Sequence, residues 1–142
     1  MTTTTPSGAP GGIRVFNMFA GITTLAVFLQ AISAGLFMAL RDSGGGWVTT
    51  HQIVAYVAIV LAVVTAVIGI ASLRASAPGL MWSAIALAVL LIAQTGIGQS
   101  LNAAPGLVAV HVPLAFIVFA LTIWLSVRGA VVRRQLAAPA AS

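Results

Sequence analysis

His51-Gln52-Ile53-Val54-Ala55-Tyr56 opens an apolar run that reaches Leu73 without a charged residue. Sixty residues later, His111-Val112-Pro113-Leu114-Ala115-Phe116 opens another, and the two share the signature H-x-x-x-A-[YF]. Runs of this length are long enough to cross a ~30 Å hydrocarbon layer as a helix rising ~1.5 Å per residue. Arg74 and Arg134 keep the same sixty-residue offset, each just past its apolar stretch. A duplicated membrane helix that retains a histidine in both copies decides the reading of the chain. An imidazole in hydrocarbon is costly unless something binds it.

Outward from these two segments, four apolar stretches stand out, at about residues 15–40, 52–73, 80–101 and 107–127. Breaks rich in glycine or proline separate them, at Arg41 to Gly46, Arg74 to Gly79 and Asn102 to Gly106. Such residues stop one helix and let the next begin. The first and third stretches also match, with a one-residue slip. Leu29-Gln30-Ala31-Ile32-Ser33-Ala34-Gly35 aligns with Ala93-Gln94-Thr95-Gly96-Ile97-Gly98. Each half therefore reads as a helical hairpin, a glutamine–glycine helix followed by a histidine helix. The expected fold is an all-α integral membrane four-helix bundle, running up-down-up-down and built from two duplicated hairpins.

Composition excludes most other classes. The chain is 61% hydrophobic and 5% charged, far from the balance of a soluble domain. Its six cations are all arginine and its single acid is Asp42, giving a net charge of +5. The arginines fall in loops and tails instead of along one face, which argues for membrane orientation and against nucleic acid as a partner. The absence of cysteine removes disulfides, thiolate catalysis and iron–sulfur ligation. There is no G-x-S-x-G, phosphate loop, carboxylate pair or H-E-x-x-H.

Arg14, Arg74, Arg128, Arg133 and Arg134 fall on one side of such a bundle and Arg41 on the other. The positive-inside rule then places both termini in the cytoplasm, in a bacterial-type plasma membrane. Residues 1–13 and 135–142, rich in small and polar residues, are expected to be disordered cytoplasmic tails. The first stretch exceeds a usual signal-peptide core and pairs with the third, so it is read as a retained span. Trp47, Trp82 and Trp124 fit interfacial belts, and Met18, Met38 and Met81 read as apolar filler.

In a square bundle the second and fourth helices occupy diagonal corners. Neighbouring axes about 8–10 Å apart put that diagonal at roughly 11–14 Å. Two histidines pointing inward from it leave space for a flat macrocycle ligated on both faces. His51 and His111 are thus the expected iron ligands of one haem b near the outer leaflet. Gly35, Gly96 and Gly98 offer small surfaces for close approach to its ring, and Gln99 lies at similar depth. Arg41, the sole cation on that side, is the expected partner of a propionate. Gln30 and Gln94 are expected to hydrogen-bond between helices, with a quinone contact as the other reading.

At these residues the chain resembles one four-helix half of the haem A synthase family, whose halves each carry a histidine on their second and fourth helices. It also resembles short bacterial four-helix membrane proteins with paired histidines. The resemblance covers about Val15 to Arg134. It implies haem binding, with His51 and His111 in the ligand positions. The catalytic half of a synthase carries a glutamate shortly before its first histidine, where this chain has Trp47, Val48, Thr49 and Thr50. The resemblance therefore does not imply synthase chemistry.

The functional expectation is a small bis-histidine haem protein that relays electrons or handles haem, an accessory subunit not expected to be an enzyme on its own, working beside a redox partner or larger membrane complex. The alternative is a haemless structural or assembly subunit of such a complex. A transporter is less favoured, because no charge or broken helix lies at mid-membrane. Small faces on the first and third helices would also suit a homodimer.

Overall fold

The computed structural model describes residues 11–41 and 45–138. Four long helices account for nearly all of it: α1 (Gly11–Ala39), α2 (Gly46–Leu73), α3 (Pro78–Ser100) and α4 (Val108–Ala137), the last entered through a 3-10 turn at Pro105–Leu107. Each is long and apolar enough to cross a membrane. The protein is thus an all-α, multi-pass membrane four-helix bundle.

Helix α1 packs on α2 and α4, and α3 packs on the same two. Neither α1 and α3 nor α2 and α4 bring Cα atoms within 8 Å of each other among the described residues. The cross-section is therefore the expected square, with the histidine helices on one diagonal.

The inward face of α2 is made mostly of small residues. On α2 the buried residues are Ala55, Ala58, Ala62, Thr65, Ala66, Gly69 and Leu73. Ile53, Val57, Val60, Val63, Val67 and Ile70 are exposed, while Ile59, Leu61 and Ile68 pack partly against the core. This inverts the pattern of a water-soluble helix. Lipid tails are as apolar as valine, so helices associate through close packing of small faces. Gly69 shows the principle, because a Cβ there would lie 3.3 Å from both Met81 Cα and Phe16 Cε2.

Hydroxyls bridge the helices across this core. Thr24 donates to the Thr122 carbonyl at 3.1 Å and lies 2.8 Å from Ser126 Oγ, tying α1 to α4. Thr23 and Thr65 approach to 3.4 Å between α1 and α2. Each hydroxyl of Thr23, Thr24 and Thr65 also returns to its own helix carbonyl four residues back, so no donor is left unpaired in hydrocarbon.

Three helix limits differ from the sequence reading. α1 starts at Gly11, inside the expected tail of residues 1–13, because Ile13 is fully buried and draws the chain into the bundle. Residues 1–10 lie outside the described residues. α4 runs to Ala137, so residues 135–137 of the other expected tail are helical, while 139–142 lie outside the described residues. α2 begins at Gly46, six residues before the expected start, because Thr49 and Thr50 bond their hydroxyls back to the Gly45 and Gly46 carbonyls. Polar residues had marked a loop, yet threonine joins a helix when its hydroxyl finds a carbonyl one turn back.

Candidate functional site

The tightly packed apolar core thins toward one end of the bundle. Its buried large residues run from Ile13, Leu73, Leu80 and Leu125 up to Val27, Leu91 and Val118. Beyond that level the interior is walled by Gln30, Ser33, Ala55, Gln94 and Gly98, with both histidines among them. His51 sits in the second turn of α2 and His111 in the first turn of α4, so both lie at the same end.

His51 is held by the outgoing helix of its own hairpin. Its Nδ1 lies 3.1 Å from the Gln30 carbonyl and 3.1 Å from Ser33 Oγ. A carbonyl only accepts, so the proton belongs on Nδ1, and the lone pair is left on Nε2. The serine hydroxyl donates to that same carbonyl at 3.0 Å. Phe37 meets the ring edge-on, with centroids 5.4 Å apart and planes at 69°. A backbone carbonyl on one imidazole nitrogen is the usual support for ligation through the other.

His111 is held differently. The Gln94 amide donates to the His111 carbonyl at 2.9 Å, and the same nitrogen lies 3.3 Å from His111 Nε2. An amide NH₂ has two hydrogens and can serve both, which puts the imidazole proton on Nδ1. That nitrogen is buried without a partner, as are Gln94 Oε1 and Gln30 Oε1. Gly98 forms the floor under the ring: a Cβ there would approach His111 Cε1 to 2.9 Å.

The remaining expected residues separate clearly. Gly98 touches His111. Gly35 and Gly96 are exposed, and a Cβ at either would meet nothing within 4 Å. The one-residue slip between the halves turns Gly35 off the inward face, and Ser33 takes that face instead. Gln99 is exposed and donates to the Tyr56 hydroxyl at 2.6 Å, bracing α3 against α2. Arg41 is exposed at the end of α1, in the left-handed region with φ 50°.

Ser33 and Phe37 went unnoticed in the sequence. The signal was present, since Gln30, Ser33, Ala34 and Phe37 follow i, i+3, i+4, i+7 along one helix face. Glycine drew the attention that the serine beside it merited.

The halves are alike without being equivalent. Ala55 of the shared signature is buried, whereas Ala115 is exposed. Pro113 accounts for part of this, because it removes the N–H that would bond the Ala109 carbonyl and loosens the first turns of α4.

Among the described residues no three of His, Cys, Asp and Glu gather into a group. Among the described residues, then, no three- or four-ligand cluster of the kind that holds a bare metal ion is present. Two imidazoles suffice for a group that brings its own equatorial donors. Comparison with protein families, curated proteins and solved structures finds no match to this chain.

Proposed function

We propose that the chain is a membrane haem b protein, with His51 and His111 as the two axial ligands of one haem and a role in electron relay or haem handling. The observation that carries this reading is the placement of the chain's only two histidines on diagonal helices at the same end of the bundle. With no cysteine and one acid in the sequence, a macrocycle is the ligand class that fits so sparse a donor set.

The residues present fit it well at one end and by exchange at the other. His51 already has its proton fixed away from Nε2. His111 Nε2 would give up the 3.3 Å approach of Gln94, whose amide keeps the stronger bond to the His111 carbonyl. Bound haem would supply one-electron chemistry, and two imidazole ligands leave no open iron site for oxygen. The residues around it hold the imidazoles and exclude water. Arg41 stands at the right end to meet a propionate.

The arginine distribution supports an orientation with the histidine end outside and both termini cytoplasmic, in a bacterial-type plasma membrane. A single haem near one leaflet cannot span ~30 Å of hydrocarbon alone, so electron relay would require a partner in or on the membrane.

A second reading is favoured by the Gln94–His111 and Ser33–His51 contacts themselves. In it they are clasps that hold each hairpin shut in a haemless structural or assembly subunit. Absorption spectra of the purified protein, oxidised and dithionite-reduced, separate the two. The haem reading expects a sharp reduced α band that is lost or altered in both His51→Ala and His111→Ala. A colourless protein after expression with ample haem would leave the structural reading.

A further inference from the structure

At the end opposite the histidines, Arg14 of α1 and Arg133 and Arg134 of α4 line a groove of about 330 Å³ together with Ala137. Among the described residues no carboxylate side chain balances these three charges, and the chain's one acid, Asp42, follows Arg41 in the sequence. The helix ends treat these charges differently. Arg133 and Arg134 lie at the C-terminal end of α4, where the helix dipole favours cations. Arg14 lies in the first turn of α1, at the positive end of its dipole, and no acid accompanies it there. Topology alone does not require this arrangement, since arginine in a neighbouring loop would orient the protein equally well. Folding brings a misplaced cation against two others across the α1–α4 contact.

We infer that Arg14, Arg133 and Arg134 form a binding site for a phosphate-bearing anion, and specifically for the phosphodiester of an anionic lipid headgroup. Guanidinium forks match phosphate oxygens in shape and charge. The α1 N-terminus faces the same end, and its dipole favours an anion there. The groove opens at the end of the spans, where a lipid headgroup lies and its tails can run down the exposed apolar faces of α1 and α4. The residues are separate from those of the proposed haem site, so this inference stands or falls independently of it.

Native mass spectrometry of the detergent-purified full-length protein tests the site with phosphatidylglycerol and phosphatidylcholine offered in equal amounts. The expected result is a one-to-one phosphatidylglycerol adduct retained in preference, with the preference falling about fivefold in Arg14→Gln and again in Arg133→Gln. Arg128→Gln removes the same charge from a neighbouring groove and is expected to leave the preference unchanged. Without anionic lipid, Arg14→Gln is expected to melt no lower than wild type, because it relieves repulsion. Inorganic phosphate distinguishes the source: a wild-type melting rise with phosphate alone, absent in Arg14→Gln, would assign the site to free phosphate. Equal retention of the two lipids, or a preference unchanged in both Arg14→Gln and Arg133→Gln, would overturn the inference.

Discussion

Gly98 and Ser33 are the residues on which the histidine end turns. A methyl group on Gly98 would crowd His111 Cε1 at 2.9 Å, and the ring, being a side chain, would yield before the backbone did. Gly98→Ala is therefore expected to fold normally while displacing the imidazole. Haem titration of the purified variant should show weaker binding, with little change in the melting temperature of the haem-free protein. Ser33→Ala removes one of two contacts to His51 Nδ1 and leaves the Gln30 carbonyl in place. Its expected cost is about tenfold in haem affinity, the lower end for a residue that supports a ligand. Gln94→Leu separates the two functional readings. Under the haem reading the variant still binds haem, since Gln94 competes for Nε2. Under the structural reading it only destabilises the hairpin. The histidines and Gly98 were legible in the sequence because duplication marks them. Ser33 was not, because its role depends on how far α1 is rotated, and a one-residue slip between halves hides that.

At the scale of the helices, the small inward face of α2 lets large residues of its neighbours pack close against it. Gly69→Leu would drive a side chain into the Met81 backbone and the Phe16 ring, neither of which can move without parting α2 from its neighbours. The expected destabilisation is about 1–3 kcal/mol, read by thermal unfolding in detergent. Gly21→Leu is the control, since a Cβ there meets nothing within 4 Å and faces outward. Thr24→Val should cost about 0.6 kcal/mol, the average for a hydrogen bond between membrane helices. Four apolar runs and three breaks made the helices legible, because hydrocarbon thickness dictates their length. Their ends were not, since hydropathy is blind to Ile13 docking in the core and to Thr49 and Thr50 bonding back along α2.

For the whole molecule, the square cross-section follows from short connections between antiparallel neighbours, and it puts the histidines on a diagonal without further assumption. The two ends then differ in kind, with both histidines and Arg41 at one and the other five arginines at the other. The chain has no cysteine, so single cysteines can report its orientation directly. Ala103→Cys and Ala75→Cys lie exposed in loops at opposite ends. A membrane-impermeant maleimide applied to intact bacterial cells is expected to label the first, and to label the second only after lysis. The reverse pattern would put the histidine end in the cytoplasm.

The most direct test of the account is electron paramagnetic resonance of the oxidised, haem-loaded protein, with haem counted per chain. One haem per chain is expected, low-spin in the wild type and converted to high-spin in both His51→Ala and His111→Ala. A single iron then has both imidazoles. Failure to bind haem, or a signal that survives unchanged when either histidine is replaced, would contradict the claim that the two histidines share one ligand.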